Sequence, residues 1–260
     1  MKSNARDVIA VLRRSHERLS SLAGPLQPDD LRGPSYCSEW SVAQVLSHLG
    51  SQSELFGLYF DAGIAGTPPP ESGVAEKVWD AWNARTPEQQ AGDGLAADAR
   101  LLAKYEDASD AELEHFHLSM WGMEINASKM TQMRLAEHAL HTWDIEVMRN
   151  PGATLAEDAA ALMFDQLSMM VGFVGKPQGK EMRLKVSTTG PAHELLLAVN
   201  GGVSLASWSN QEVEGELRLP AEALYRLVSG RLDRDHTPAS VTLTADTSDL
   251  DDLRGVFPGF

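Results

Sequence analysis

Residues 41–63 read SVAQVLSHLGSQSELFGLYFDAG, and the fold expected for the first part of the chain follows from this stretch. Ser41 and Gln44 have the spacing of a capping box, in which each residue satisfies a backbone donor at the start of a helix. Leu49 and Phe56 lie seven residues apart, so they fall on the same face of a helix. The stretch therefore predicts a long helix with one buried face.

Similar patterns predict further helices on both sides of this one. They cover residues 4–22, 74–85, 95–106, 126–149 and 154–174. We expect Gly92 and Gly94 to interrupt the helical structure before residue 95. Four of the helices are long, namely 4–22, 41–63, 126–149 and 154–174, and short connections between long helices favour an up-and-down four-helix bundle. The segment 74–106 is then a shorter excursion from that bundle.

The sequence changes character after residue 174. Residues 175–180, GKPQGK, are typical of a linker. Beyond them, alternating apolar and polar residues predict strands, and two short apolar stretches predict helices. The strands are 182–188, 215–219 and 240–245, and the helices are 220–229 and 250–256. We therefore expect an α+β protein with two domains, a helical bundle at 1–176 and a small α+β domain at 181–260.

Composition excludes several classes of function. The 260 residues carry a formal net charge of −15, and a field of that sign repels phosphate backbones and anionic lipids. We expect no nucleic-acid partner and no membrane partner. The single cysteine, Cys37, has no second cysteine to pair with, and residues 1–21 lack a signal-peptide pattern, so a cytoplasmic location is expected. The sequence leaves monomer and homodimer open.

The segment most suggestive of chemistry is RLAEHALHTWD, residues 134–144. Glu137 and His141 are four residues apart, so a helix places both side chains on one face, where they can converge on a metal ion. His138 is rotated by about 100° and points elsewhere. An E-x-x-x-H pair alone is weak evidence, because such pairs more often lie on a helix surface.

A third candidate ligand strengthens the metal hypothesis. His48 lies between Val45 and Leu49, so its ring is expected to face the interior of the bundle or its rim. A lone histidine there is more often a hydrogen-bonded core residue. Two helices that each present an inward ligand favour a metal site in the bundle. Two histidines and one carboxylate suit an open catalytic zinc site, and also iron or nickel.

Asp144 lies three residues beyond His141 on the predicted helix. It is expected either to hold a ring N–H of a ligand or to be an ordinary surface acid. Three other features have plainer interpretations. We expect Cys37 to be a small loop residue, and His115 and His117 to be a strand-like or loop pair near a cleft mouth. Four of the six tryptophans are expected in the core or in a cleft wall; they are Trp79, Trp82, Trp121 and Trp143.

These motifs resemble the mycothiol-dependent maleylpyruvate isomerase family, within the DinB-like metal-binding superfamily. The resemblance lies in W-S-V-x-x-V-L-x-H-L at 40–49, in E-x-x-x-H-x-x-D at 137–144, and in LRLPAEALYRLVSGRL at 217–232. The last stretch is similar to the sterol-carrier-like C-terminal domain of that family. The resemblance spans nearly the whole chain and is loosest between residues 67 and 126.

The resemblance implies a zinc ion, or another divalent metal, held by His48, Glu137 and His141, with mycothiol as the thiol cosubstrate. It also implies that basic side chains bind substrate carboxylates and contact the cofactor; Arg231 matches best, and Arg85 is a second candidate. Together with Asp144 they are the predicted catalytic residues. The expected partners are a small thiol and a small electrophilic acid, and the expected activity is cis/trans isomerisation or S-transfer.

Two other functions use the same residues. The chain could be a non-catalytic protein of the DinB-like superfamily, either a bundle that binds a metal for stability or sensing or a protein that binds a small ligand through the sterol-carrier-like domain. It could also be a metal-dependent hydrolase, although the sequence offers no dedicated general base for activating water. Binding of a thiol to the metal-loaded protein separates these alternatives from the isomerase or transferase.

Overall fold

The computed structural model describes residues 4–120 and 122–259. The predicted α+β class is confirmed, since contacts divide the chain into a helical unit, Met1–Asn150, and a sheet-containing unit, Pro151–Phe260. This division differs from the boundary predicted at residues 176–181. Within the described residues, no helix combines the length and the apolar character needed to cross a bilayer.

The first unit contains seven helices and one short hairpin among its described residues. The helices are α1 (Ala5–Ala23), α2 (Pro28–Arg32), α3 (Val42–Ala65), α4 (Val74–Asn83), α5 (Pro87–Asp107), α6 (Asp110–His115) and α7 (Ala127–Glu146), and the hairpin strands are β1 (Leu118–Met120) and β2 (Met123–Ile125). Both α1 and α3 pack against α5 and α7, so these four long helices form the bundle.

The fourth helix of the bundle is therefore α5, and residues 157–174 belong to the second unit. We predicted that Gly92 and Gly94 would interrupt α5, and this prediction is wrong. Thr86 caps the helix with Gln89, and the helix then runs through both glycines. A Cβ atom at Gly94 would lie 2.6 Å from the Leu46 carbonyl oxygen, so this glycine permits α3 and α5 to approach closely.

The second unit is a five-stranded sheet with helices. Its elements are α8 (Glu157–Met163), a 3₁₀ turn (Phe164–Gln166), α9 (Leu167–Val174), β3 (Met182–Thr189), β4 (Glu194–Val199), β5 (Val203–Ser207), β6 (Gly215–Pro220), α10 (Ala221–Val228), β7 (Thr242–Ala245) and α11 (Leu250–Val256). The strand order is β5-β4-β3-β6-β7, and only β3 and β6 are parallel.

The three predicted strands of the second unit are confirmed, but β4 and β5 were missed. Met182, Leu184 and Val186 alternate as buried residues along β3, as the period-two pattern indicated. The missed strands form an antiparallel hairpin around residues 200–202, NGG. An Asn-Gly pair between apolar runs is a strong hairpin signal that could have located both strands.

The predicted tryptophan positions are partly confirmed. Trp82 and Trp143 are buried, whereas Trp79 is 41% exposed. Trp121 lies outside the described residues.

A buried polar cluster joins all four helices of the bundle, and we call it the Asp98 network. The Asp98 carboxylate on α5 accepts from His16 on α1 (2.6 Å), and from Arg134 (2.7 Å) and His138 (2.9 Å) on α7. Ser53 on α3 donates to the same carboxylate at 3.4 Å and accepts from Arg134 at 2.7 Å. Asp98, Arg134 and His138 are almost fully excluded from solvent.

The charged neighbours determine the ionisation of Asp98. Burial by itself raises the pKa of this carboxyl group. The charges of His138 and Arg134, together with the hydrogen bonds of His138 and His16, outweigh burial and hold the pKa of Asp98 well below its usual range. The carboxylate is therefore ionised in the folded protein.

We predict that Asp98→Ala lowers the free energy of unfolding by about 3–5 kcal/mol, because it leaves the buried Arg134 charge uncompensated. Denaturant unfolding followed by circular dichroism measures this change. The control is Asp110→Ala, which removes the exposed partner of Arg6, 2.8 Å away, and should leave stability nearly unchanged. Equal effects of the two substitutions would contradict a dominant role for Asp98.

We also predict an acid-dependent contribution from Asp98. Its pKa is lowered on folding, so the stabilisation is present above the unfolded-state value of about 3.9 and is lost as pH falls towards the folded-state pKa. The difference in unfolding free energy between wild type and Asp98→Asn should therefore shrink below about pH 4. Unfolding curves recorded between pH 7 and pH 3 measure it, and a pH-independent difference contradicts the prediction.

Candidate metal centre

Three donor side chains converge from two helices of the bundle, and we call them the ligand triad. His48 lies on α3, and Glu137 and His141 lie one turn apart on α7. Glu137 Oε2 is 3.1 Å from His48 Nε2 and 3.7 Å from His141 Nε2. The donor atoms of all three residues lie within 4.8 Å of one another. This spacing suits a single metal ion bound by two nitrogens and one oxygen.

Local structure explains how α3 presents His48. The predicted capping box is present, since Ser41 accepts from the Gln44 backbone and the Gln44 side chain accepts from the Ser41 backbone. The neighbouring residues Val45 and Leu49 are fully buried, so they hold this face of α3 against the bundle. His48 itself is only partly buried, with 21% of its side chain exposed. The ring thus lies at the rim of the core.

Electrostatics keeps Glu137 in the form that binds metals. Burial raises the pKa of Glu137, but the hydrogen bond with His48 and the charges of His141, His48 and Arg134 lower it to about 2. A carboxylate with that pKa is ionised throughout the neutral range. The triad therefore offers one negative oxygen and two imidazole nitrogens, which is a chemically reasonable donor set for zinc.

Asp144 lies directly behind His141. Its Oδ2 atom is 2.8 Å from His141 Nδ1, and its side chain is completely buried. A carboxylate that accepts from one ring nitrogen orients the imidazole and directs the other nitrogen towards a metal. On His141 that other nitrogen is Nε2, the one that faces Glu137.

Cys37 also reaches this carboxylate, which the sequence did not indicate. Its Sγ atom donates to Asp144 Oδ2 at 3.1 Å and lies 4.0 Å from His141 Nδ1. Cys37 belongs to residues 33–41, which we call the α2–α3 loop. The Tyr36 N–H donates to the Asp144 carbonyl oxygen at 3.0 Å and fastens this loop to α7. No local pattern around Cys37 predicts a contact with a residue so far along the chain.

Trp40 is the second residue of the loop that meets the triad. Its ring centroid lies 5.1 Å from that of His48 and 6.2 Å from that of His141. The two imidazoles are themselves 4.7 Å apart, edge to face. An indole packed against both rings restricts their motion, so Trp40 helps to hold the ligands in place.

The two predicted arginines have other partners. Arg85, just after α4, lies over the Trp82 ring at 3.6 Å and pairs with Asp93 at 3.4 Å. Arg231 belongs to the second unit, where it is 7% exposed and donates to the Ser229 carbonyl oxygen at 3.0 Å. A role in substrate binding stays a prediction for both.

His115 and His117 also have separate partners. The Nδ1 atom of His115 is 2.7 Å from the Ala111 carbonyl oxygen, and His117 pairs with Glu124 at 2.5 Å. These contacts do not bring the two imidazoles together.

Two further groups of donors have metal-like spacing among the described residues. One consists of Cys37, His141 and Asp144 and borders the triad. The other consists of His16, Asp98 and His138, which are part of the Asp98 network. Arg134 already binds the Asp98 carboxylate at 2.7 Å, and a fixed cation there opposes a second one. The buried group is therefore better explained as a hydrogen-bonded network.

Comparisons with known proteins agree with this architecture. A family model described as "Mycothiol maleylpyruvate isomerase N-terminal domain" matches residues 12–146, more than half of the chain. The crystal structure of the mycothiol-dependent maleylpyruvate isomerase matches with a TM-score of 0.68 and 13% identity over 95% of both chains. A histidine-to-alanine mutant of that enzyme matches with the same values. At this identity the likeness shows the fold.

A further solved structure, the colibactin self-resistance protein ClbS in complex with a double-stranded DNA, covers 57% of this chain and 96% of its own. Its identity is 18% and its TM-score of 0.46 is too low to support an argument. No curated protein matches the chain in sequence. Because the family model matches more than half of the chain, the chain belongs to the mycothiol maleylpyruvate isomerase N-terminal domain family.

Proposed function

We propose that this chain is a metal-dependent enzyme that uses mycothiol as a cosubstrate to isomerise maleylpyruvate or a closely related acid. The convergence of His48, Glu137 and His141 carries the proposal, because it supplies a metal-binding donor set within the matched family domain. The likeness to the mycothiol-dependent isomerase over 95% of both chains adds support for a common architecture.

The ligand triad would hold the metal, and zinc is the first candidate. Two imidazole nitrogens and one carboxylate oxygen leave room for a further ligand in a tetrahedral site. A divalent ion held there would supply the charge that keeps a thiol deprotonated near neutral pH, whereas a free thiol with a pKa of about 8.5 is mostly protonated. Iron and nickel accept the same donors, so the identity of the metal is a matter for measurement.

The residues around the triad prepare it for this task. Glu137 contributes a negative charge at neutral pH because its pKa is lowered. Asp144 accepts from His141 Nδ1 and leaves Nε2 available on the side of Glu137. Trp40 packs on both imidazoles. Together these contacts hold the donors in one arrangement before any ligand binds, which lowers the cost of binding.

The thiol performs the covalent chemistry of the proposed reaction. Its sulfur adds to the cis double bond of the acid and forms a C–S bond, with the electron pair of the double bond moving towards the conjugated carbonyl. The former double bond is now single and rotates. The electron pair then returns, the C–S bond breaks, and the trans isomer leaves with the thiol regenerated. Isomerisation therefore consumes no thiol, whereas S-transfer does.

The substrate is an anion, so the enzyme must hold it against a net charge of −15. Arginine suits this task because its guanidinium binds a carboxylate with two parallel hydrogen bonds. We propose Arg231 as the first candidate, in contact with the thiol or the acid, and Arg85 as the second. Arg85 lies in the helical unit together with the triad, and Arg231 matches the family pattern better.

Metal content tests the centre directly. We predict about one zinc per chain in the purified protein and a strong loss of metal in His48→Ala, because a site with one histidine and one carboxylate holds zinc weakly. The control is His115→Ala, which removes an exposed histidine of the same unit and should keep the metal. Elemental analysis after dialysis measures both.

Activity completes this test. Chelated protein should lose thiol-dependent isomerisation of maleylpyruvate, and added zinc should restore it. A His48→Ala protein that retains its metal and its affinity for the thiol would contradict the proposal. Metal binding without any turnover would favour a non-catalytic binding protein, and thiol consumption matched to product would favour S-transfer.

Replacing Asp144 tests its support of His141. We predict that Asp144→Asn lowers the affinity for zinc by about 10–100-fold, since losing the acceptor of a ligand's ring N–H has this effect in other sites. Competition with a chromophoric chelator measures the change, and circular dichroism checks that the variant folds. An unchanged affinity would show that His141 needs no carboxylate behind it.

The arginine assignment is tested by kinetics. Arg231→Ala should raise KM for the acid by about 10-fold or more, because it removes a charge-assisted contact with a carboxylate. The control is Arg183→Ala on the exposed face of β3, which should leave KM unchanged. Equal KM values in the two variants would move the assignment to Arg85, whose alanine variant is measured alongside.

A further inference from the structure

We propose a second metal position, formed by Cys37, His141 and Asp144, that takes a thiophilic divalent ion such as Zn²⁺ or Cd²⁺. The two nitrogens of the His141 ring face different donors. Nε2 lies 3.7 Å from Glu137, and Nδ1 lies 2.8 Å from Asp144 and 4.0 Å from Cys37 Sγ. A sulfur, a nitrogen and an oxygen thus converge on the side of the ring opposite the triad.

The distances between these donors are near those of a zinc site. Zinc bonds of about 2.0–2.3 Å in tetrahedral geometry separate neighbouring ligand atoms by roughly 3.3–3.6 Å. The three separations here are 2.8, 3.1 and 4.0 Å. Side-chain shifts of a few tenths of an ångström would bring each into that range. The triad shows comparable values of 3.1 and 3.7 Å for the two contacts of Glu137.

The surroundings favour a cation at this position. The Cys37 thiolate and the Asp144 carboxylate together supply two negative charges to an ion at this position. Cys37 and His141 are only partly buried, so an ion has access.

The α2–α3 loop holds Cys37 in place. The Cys37 carbonyl oxygen accepts from the backbone N–H of Trp40 at 2.7 Å and from the Ser35 hydroxyl at 3.1 Å. The backbone N–H of the preceding residue, Tyr36, donates to the Asp144 carbonyl oxygen. The sulfur is therefore presented to Asp144 and His141 by a fixed backbone. Sulfur in the donor set selects zinc or cadmium over magnesium and calcium, which prefer oxygen.

An ion should bind less tightly at the second position than at the ligand triad, because binding at the second position releases two protons. An ion there displaces the thiol proton of Cys37 and the Nδ1 proton of His141, and both protons pass to solvent. His141 then bridges two ions and has lost both ring protons. Since the shared ring donates to two cations, the second ion should reduce the function of the first. We expect excess zinc or cadmium to inhibit the enzyme.

The inference depends on the proposed function only through the shared His141, and a cadmium titration tests both separately. The readouts are the bound stoichiometry and the ultraviolet absorption of a thiolate–cadmium bond. Wild type should bind about two equivalents, and Cys37→Ser and His48→Ala about one each. The absorption should be lost in Cys37→Ser and retained in His48→Ala. His117→Ala, at an exposed His–Glu pair, should match wild type.

The outcomes distinguish the two sites. Wild type that saturates at about one equivalent, without thiolate–cadmium absorption, overturns the second position and leaves the triad standing. A His48→Ala protein that binds as much cadmium as wild type overturns the triad instead. Circular dichroism confirms folding of each variant, and magnesium in place of cadmium should produce neither signal. Cys37→Ala repeats the test without a hydroxyl ligand.

Discussion

The bundle depends on one buried negative charge, that of Asp98. Its carboxylate accepts from His16 on α1, from Ser53 on α3 and from two side chains of α7, while Asp98 itself belongs to α5. A buried charge is costly unless every partner is present, so the network is stable only when all four helices are assembled in one register. Hydrophobic packing supplies the free energy of folding, and this network links side chains of all four helices through one carboxylate.

The same network lies next to the candidate metal centre. Arg134 and His138 lie on either side of Glu137 in the sequence, and Arg134 also donates to the Leu49 carbonyl oxygen at 3.2 Å, one residue beyond His48. The contacts that align α3 with α7 therefore also set the distance between the ligands. Two faces of helix α7 carry different groups of side chains. His138 lies in the buried Asp98 network, and His141 lies at the rim of the core.

Much of the fold and part of the site could be predicted from local spacing. The i,i+4 pair of Glu137 and His141, the caps of α3 and the alternation in β3 all follow from helix and strand geometry. Errors arose where tertiary packing overrode a local signal. Gly94 is a local signal for an interruption, yet it lies inside α5, where the lack of a side chain lets α3 approach its backbone closely. The apolar pattern at 154–174 predicts a bundle helix, whereas these residues belong to the second unit, because the sequence alone does not specify which surface an apolar helix packs against.

Which side chains share a face of a helix or strand follows from the order of the amino acids, because it depends only on the repeat of the backbone. The order of residues therefore predicts the pairing of Glu137 with His141 and the separation of His138 from both. The contacts between residues distant in sequence become visible in the folded chain: Cys37 contacts Asp144, Trp40 packs against His48, and His16 contacts Asp98. Such contacts depend on how closely the helices approach and at what register, which is set by packing over the whole bundle.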